Sequence, residues 1–383
     1  MTTLLKLFFL FGLLISTVGC SATSGVASLG VSSDGQYIIT AHGRDELVLW
    51  DVAKKEKKLL AKNANPYSAY FIPDSHEFMW QDTNNVVHIQ DVNGQEIKQF
   101  SHFETEGHII TADKSFYLSA DTWGKLYKGY GDNLVPIYTD EPIAPSQPYT
   151  LSIHDNYILS TYNTITGRND PPAETNLTAN PVNPDIHKKS SYAGVTLWDK
   201  TTLKPIARLW GNSGRTTGRI SPDGKWVITG GENAAYYMWE INNLNNRQAL
   251  SFPNNGIYDE EKFKNDKSVP IPERLKKEPI SVGTVAYAFL TEDEFIGLGK
   301  SGMANGKGFE FAALYMADSP WIKGYVEIGN NPSISTNYFQ RNLSVSSSPK
   351  AHILVTGQAT GGGINVYKYH PEKMELEKIW VAD

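Results

Sequence analysis

The side chains best suited to catalysis or metal binding are scattered along this chain. Its nine histidines form no spaced pair such as HExxH, and it holds one cysteine, so we expect neither a zinc site nor a disulfide. There is no GxSxG nucleophile motif, and GKSGMANGKG at 299–308 has the glycines of a phosphate-binding loop without their spacing. The sequence therefore predicts no catalytic residue, no metal and no cofactor.

Cys20 is the residue with the clearest chemistry. It follows a segment with one basic residue, Lys6, and an apolar run over residues 7–15 that is too short to span a bilayer. Residues 17–20, TVGC, resemble the lipobox of bacterial lipoproteins, although Thr17 stands where that family prefers leucine. The resemblance implies cleavage before Cys20 and its acylation, which anchors the chain to a membrane. The alternative is an ordinary secretory signal with an unmodified Cys20.

This resemblance divides the chain into a lipoprotein signal peptide at 1–19, a lipidated N-terminus and short linker at 20–25, and one domain at 26–383. It also implies a location in the bacterial cell envelope. In a Gram-negative cell Ser21, which is not acidic, implies the outer membrane, facing the periplasm.

Two stretches of the domain share one pattern of turn, β-rich run, loop and aromatic strand. Residues 220–241, ISPDGKWVITGGENAAYYMWEI, begin with an SPDG turn and end beyond Trp239. Residues 31–51, VSSDGQYIITAHGRDELVLWD, repeat the turn and carry Trp50 at the matching place, and residues 191–200 keep only the Trp-Asp strand. These stretches resemble WD40 repeats, a family with one four-stranded blade per roughly 40 residues.

The resemblance implies an all-β, seven-bladed β-propeller with four antiparallel strands per blade. Many short strands, 32 glycines and 20 prolines agree with such a chain. We assign blades from the segments that begin near residues 26, 67, 107, 149, 220, 283 and 340. Since only residues 21–25 precede the first strand, we expect the ring to close by face packing, without the strand exchange usual in the family. That seam should then be the least protected part of the ring.

The repeats depart from the family in their hydrogen-bonding residues. In the family a His, a loop Asp, a Ser or Thr and the Trp form one set within the blade. The Gly-His before the first strand is missing here, with Gly211-Asn212 as its nearest counterpart, and blade one offers Thr40, Asp45 and Trp50 without the His. We therefore expect a divergent member. Three tryptophans are predicted to pack inside blades: Trp50, Trp198 and Trp239.

Four insertions interrupt the repeat. The two longest are Pro- and Asn-rich residues 167–189, within blade four, and residues 252–279, between blades five and six; the others are 300–308 and 330–342. In an alternating four-stranded blade, loops after the second and fourth strands leave from the same end, so all four should lie on one face. Long loops on a rigid scaffold often carry function, although a neutral surface insertion is the alternative for each.

Four residues are candidates for binding a partner on that face. Trp123 lies in a predicted loop and is a possible exposed anchor, because aromatic side chains dominate binding hot spots, although packing between blades is the simpler role. The other three are Arg168, His187 and Arg215, each of which also fits a solvated loop.

The formal net charge of −6, with no long Lys/Arg block, argues against nucleic acid as a partner. We therefore expect a lipid-anchored scaffold that binds another envelope protein through the face with the insertions, while Cys20 contacts the membrane. The alternative is an enzyme or small-ligand binder, of hydrolase or lyase type, that uses the central channel of the propeller, where histidines from several blades could also meet. Fold alone does not separate the two, because propellers host both.

Overall fold

A computed structural model describes the chain over residues 25–121, 126–137, 148–162, 195–209, 212, 216–231, 236–250, 286–298, 309–319, 322–331, 345–358 and 361–383. Over these residues the chain forms 28 β-strands and one short 3₁₀ turn at Gly131–Asn133. No helix in this part of the chain is long and apolar enough to cross a membrane.

The strands of the first four blades follow one another along the sequence. Blade one has β1 (Val26–Val31), β2 (Tyr37–His42), β3 (Leu47–Asp51) and β4 (Glu56–Ala61). Blade two has β5 (Tyr70–Phe71), β6 (Glu77–Gln81), β7 (Val86–Asp91) and β8 (Glu96–Ser101). Blade three has β9 (Thr105–Ile110), β10 (Tyr117–Asp121), β11 (Leu126–Lys128) and β12 (Val135–Ile137). Blade four has β13 (Pro148–Ile153), β14 (Tyr157–Tyr162), β15 (Val195–Asp199) and β16 (Pro205–Leu209).

The other three blades repeat this order. Blade five has β17 (Thr216–Ile220), β18 (Trp226–Gly231), β19 (Tyr236–Glu240) and β20 (Asn243–Ala249). Blade six has β21 (Ala286–Phe289), β22 (Glu294–Leu298), β23 (Phe309–Met316) and β24 (Ile322–Asn331). Blade seven has β25 (Val345–Ser348), β26 (Ile353–Gly357), β27 (Ile364–His370) and β28 (Glu375–Ala382). Each blade is a separate antiparallel sheet of four consecutive strands, so the predicted seven-bladed propeller is confirmed.

The core lies between the blades. Seven clusters of buried apolar side chains each join two neighbouring blades, and one of them joins blade seven to blade one. A four-stranded sheet has two faces to bury, and stacking around an axis buries both of them. The ring is therefore stabilised by contacts between blades, and one blade alone would expose both of its apolar faces.

The ring closes through side-chain and backbone contacts between complete blades. Val26 donates its backbone N–H to the carbonyl of Gln358 (2.9 Å), and the rings of Trp50 and Trp380 meet edge to face with centroids 5.9 Å apart. Gly357 permits this approach, because a Cβ there would lie 2.6 Å from the Val26 side chain. Among the described strands, each of the two sheets at this seam consists of strands of its own blade.

The tryptophans predicted to pack inside blades do so. Trp50 donates from Nε1 to Thr40 Oγ1 (2.9 Å), and Trp239 donates to Thr229 Oγ1 (3.0 Å). Trp198 makes the same bond to Ser160 Oγ (2.8 Å). Each bond links the third strand of a blade to its second strand and satisfies a buried indole N–H. In blade one, His42 on β2 also contacts Thr40 Oγ1 (2.8 Å), so a histidine does join this group, although from the second strand.

The turn between the first two strands of a blade is stabilised by a recurring hydroxyl-carboxylate pair. In blade five, Ser221 Oγ donates to Asp223 (2.6 Å) and accepts the backbone N–H of Trp226 (2.9 Å). The same Ser/Thr-x-Asp hydrogen bond is present at three other turns: Ser32-Asp34, Thr111-Asp113 and Thr291-Asp293. Such local bonds satisfy the turn backbone and fix where the second strand begins.

The carboxylate-rich turn before β22, formed by Glu292, Asp293 and Glu294, is only in part exposed. Glu294 is 5% exposed and forms an ion pair with Lys323 of β24. Glu294 is the first residue of β22, so its side chain enters the sheet while its two neighbours remain exposed.

Candidate functional site

The two faces of the ring differ in their connections. We call the face that carries the first-to-second and third-to-fourth strand connections the tight-turn face, where every connection is two to six residues long. The opposite face, here the long-connection face, carries the second-to-third connections and those between blades, including residues 163–194, 250–285 and 332–344. The strand ends that flank the four predicted insertions thus lie at one face, as strand alternation predicts.

The residues predicted from sequence as functional lie outside the described part of the chain. These are Cys20, Trp123, Arg168, His187 and Arg215. The last four belong to segments that join described strand ends at the long-connection face: 122–125, 163–194 and 210–215. Their roles stay predictions.

The central channel contains a cavity of about 820 Å³. All seven blades contribute to its lining through their innermost strands, and the turns that follow those strands form its opening. Since these turns connect first and second strands, the opening lies at the tight-turn face. Its volume lies within the range of roughly 300–1,000 Å³ that is usual for small-molecule sites.

One residue from each innermost strand forms a ring around this cavity, which we call the belt. In blades one to six the belt residue is the second-to-last residue of the inner strand, next to the last paired residue, as in Val31↔Ile38 and Ile220↔Val227. In blade seven β25 extends one residue further, to Ser348, so Ser346 is at the corresponding position. Its polar members are Tyr70, Ser152, Arg219 and Ser346, and its other members are Gly30, Ile109 and Ala288. All seven line the cavity. The four polar members are partly exposed and the other three are buried.

Arg219 and Tyr70 are the two large polar residues of the belt. They come from blades five and two, which lie on opposite sides of the channel, and their side chains interact electrostatically. Burial lowers the pKa of Arg219 to about 10, and the interaction with Tyr70 opposes part of this shift. Burial likewise raises the pKa of Tyr70 to about 12, with Arg219 opposing the shift. At neutral pH the cavity therefore contains a guanidinium cation and a protonated phenol.

Close packing between blades one and two positions Tyr70. A Cβ on Gly30 would lie 2.9 Å from the backbone nitrogen of Phe71 and 3.3 Å from Tyr70 Cα. The absence of a side chain at Gly30 thus allows the two inner strands to approach. Tyr70 also packs against the apolar cluster that contains Ile109 and has Leu151 at its edge.

The opening of the cavity carries carboxylates from three consecutive blades: Asp74, Asp113 and Asp155. Asp74 forms an ion pair with Lys350 (3.0 Å), which links blade two to blade seven across blade one. Hydrogen bonds from Thr111 and from the backbone and side chain of Ser115 lower the pKa of Asp113 to about 2. The opening thus carries three carboxylates and two cations, Lys200 in its lining and Lys350 paired with Asp74.

Two histidines also line the cavity, but their hydrogen bonds are structural. His108 donates from Nε2 to the Ser68 carbonyl (2.7 Å) and lies 3.2 Å from the Tyr117 hydroxyl through Nδ1. Burial lowers the pKa of His108 to about 4, so it is neutral at pH 7. His154 Nε2 donates to the Pro222 carbonyl (3.1 Å) and links blades four and five. Within the described ranges no three His, Cys, Asp or Glu side chains group in a way that could hold a metal ion.

Sequence reasoning did not single out Arg219 or Tyr70. The signal was present in the spacing, because Arg219 stands two residues before Ser221, which starts the SPDG turn, in a strand of otherwise small or apolar residues. Aligning the repeats on that turn places one residue of each blade at the same level of the channel. Knowing that they surround one cavity still requires the closed ring.

Comparisons with known proteins support the propeller fold and assign no activity. The chain matches no known protein family and no curated protein. Among solved structures it is similar to KlHsv2 with loop 6CD replaced by a Gly-Ser linker, with a TM-score of 0.53, 9% identity, and coverage of 93% of this chain and 98% of that one. It is also similar to the hydrazine synthase of Kuenenia stuttgartiensis, with a TM-score of 0.54, 13% identity, and coverage of 90% and 95%. At these identities the likeness is one of fold, and the chain is a seven-bladed all-β propeller.

Proposed function

We propose that this protein is a non-catalytic binding protein of the bacterial cell envelope. In this proposal a lipid on Cys20 holds it at a membrane, and its divergent WD40-like propeller captures another envelope protein with the long-connection face. The observation that carries the proposal is the unequal distribution of connections between the two faces. Binding residues often lie on loops that a rigid scaffold positions, and this chain has its longest connections at one face.

The long connections are also concentrated around the ring. The three longest connections, residues 163–194, 250–285 and 332–344, all join strand ends of blades four to seven. In blade one, by contrast, the connection between the second and third strands has only four residues, 43–46. The proposed binding surface therefore lies over blades four to seven. Arg168 and His187 belong to its longest connection within a blade, and Trp123 and Arg215 lie in shorter connections of the same face.

The test is capture of partners from the protein's own cells after mild crosslinking. The full chain is compared with a variant that lacks residues 167–189. The flanking strands are paired next to each other, Thr161 with Val195, so the shortened connection can still close. We expect one partner to be lost with the deletion, and reciprocal capture with that partner to recover the full chain. Unchanged capture by the deletion variant would exclude this segment.

Two controls separate the anchor from the binding surface. Lys54→Ser changes an exposed side chain in the turn between β3 and β4, at the tight-turn face, and should leave capture unchanged. Cys20→Ser should move the protein from the membrane fraction to the soluble fraction while the purified variant still binds the partner. A Cys20→Ser protein that stays in the membrane fraction would contradict lipid anchoring at this residue.

A further inference from the structure

We propose that the central cavity binds a small organic monocarboxylate, with its carboxylate on the Arg219 guanidinium and its apolar part along the walls of the channel. This site is separate from the long-connection face, so the inference does not depend on the proposed partner. It rests on the belt, the cavity and the arrangement of charge along the channel.

The single positive charge of the belt favours a ligand with one negative charge. Arg219 is its one cationic member, and a guanidinium can hold a carboxylate through two parallel N–H···O bonds. At the opening Asp74 is paired with Lys350, and the other two carboxylates, Asp113 and Asp155, would repel a di- or trianion more strongly than a monoanion. A carboxylate thus fits the channel better than phosphate or a polyanionic chain.

Hydroxyl groups at the same level can complete the hydrogen bonding of the ligand. Ser152 comes from blade four, next to the blade that carries Arg219, and Tyr70 reaches the cavity from the opposite side. Both hydroxyls are protonated at neutral pH and can donate to a carboxylate oxygen. An ionised acceptor in a partly buried place strengthens such bonds, because the surrounding protein screens charge less than water does.

The walls favour an apolar body on the ligand. Leu29, Leu151, Ile153 and Phe289 line the same cavity as Arg219. In many small-molecule sites an apolar enclosure supplies affinity while a few polar groups fix the orientation, and the channel has this composition. Since the opening lies at the tight-turn face, a ligand would enter from that side.

The test uses defined probes on the folded full chain. Hexanoate and phenylacetate are compared with hexanamide and phenylacetamide, which keep the apolar part and remove the charge, and with inorganic phosphate. Calorimetric titration and ligand-observed NMR measure binding. We expect both acids to bind at least about tenfold more tightly than their amides, the ratio expected for a charge-assisted hydrogen bond. Absence of acid binding, or tighter binding of phosphate than of the acids, would overturn the proposal.

Variants then assign the binding to Arg219. Arg219→Met should weaken acid binding at least about tenfold. The control Lys58→Met removes one exposed cation from β4, the outermost strand of blade one, and should leave acid binding unchanged. If Arg219→Met does not fold, Arg219→Lys keeps the charge and loses the paired geometry, and it should bind the acids several-fold more weakly while its melting temperature is preserved. Equal binding by wild type and by the folded Arg219 variant would show that the acid lies elsewhere.

Discussion

The two faces of the propeller are made from the ends of the same strands, yet they differ in how those ends are joined. At the tight-turn face, hydroxyl-carboxylate pairs such as Ser221-Asp223 bond the turn backbone, and no connection exceeds six residues. At the long-connection face the lengths range from three residues at 102–104 to thirty-six at 250–285. The connections thus vary little in length at the tight-turn face and widely at the long-connection face.

This difference has a thermodynamic reason. Lengthening a flexible loop adds only about 0.6 kcal/mol of closure cost for each doubling, so a long connection is tolerated where its ends are already adjacent. A tight turn instead satisfies its own backbone groups and sets the register of the following strand, so a change there affects the sheet directly. The comparison predicts unequal responses to mutation, and the buried seams between blades should respond most.

The largest effect is expected from acidification, which acts on the buried seams before it acts on the turns. His108 has a folded pKa of about 4 against an ordinary value near 6.5, so between these values the unfolded chain binds more protons than the folded chain. The free energy of unfolding should therefore fall by about 1.4 kcal/mol for each pH unit below 6.5, or about 3 kcal/mol at pH 4.

Urea unfolding at several pH values measures this slope. His108→Gln keeps hydrogen-bonding atoms near the Ser68 carbonyl without a titrating ring and should reduce the slope. His102, whose pKa burial and His108 also lower to about 4, contributes a second part that His102→Gln should remove. The turn carboxylate Asp113 has a depressed pKa, so its contribution is present above about pH 4 and is lost only below it. A slope unaffected by both histidine variants would contradict the assignment.

A glycine at the closing seam should give the next largest effect. Gly357→Ala would place a Cβ 2.6 Å from the Cβ and Cγ1 of Val26, which is buried and attached to another blade. We expect a loss of about 1–3 kcal/mol in the free energy of unfolding, as for overpacking in a core. The matched control is Gly107→Ala, whose nearest neighbour would be Leu151 at 3.9 Å. Equal stability of the two variants would show that the seam can relax.

A single turn of the tight-turn face should matter less. Asp223→Ala removes the acceptor for the Ser221 hydroxyl and for the backbone N–H of Lys225. We expect a loss of about 1 kcal/mol by urea denaturation, because the turn is partly exposed and water replaces some of the bonding. Asp223→Asn keeps an acceptor oxygen and should lose less; if it loses as much as alanine, the carboxylate charge, not the hydrogen bond, is what stabilises the turn.

The smallest effect should come from the long-connection face. Removing residues 167–189 leaves the paired strand ends Thr161 and Val195 joined by a shorter chain. We expect the free energy of unfolding to change by less than about 0.5 kcal/mol, in contrast to the turn variants. Thermal and urea unfolding of the deletion variant test this. A loss larger than that of Asp223→Ala would remove the distinction between the faces.

Much of the ring could be predicted from local sequence. A repeating blade is specified by the SPDG and SSDG turns, the alternating strands and the tryptophans at 50, 198 and 239. Each of these features depends on contacts within a few residues or within one sheet. Asp51 and Asp199 are the last residues of third strands, and each accepts the backbone N–H of the residue three positions later, which stabilises the following turn. The burial of Glu294 could not be predicted from the local sequence, because it depends on Lys323 two strands away.

The sequence by itself determined the blade: its turn chemistry, its strand order and its repetition are consequences of short-range hydrogen bonding and of apolar faces that a single sheet cannot bury. The tertiary structure alone decided what meets at the centre. Tyr70 and Arg219 are 149 positions apart and belong to blades whose strands never pair with each other. They share one cavity because closing the ring turns one residue of every inner strand toward a common axis, and no local pattern in the sequence contains that axis.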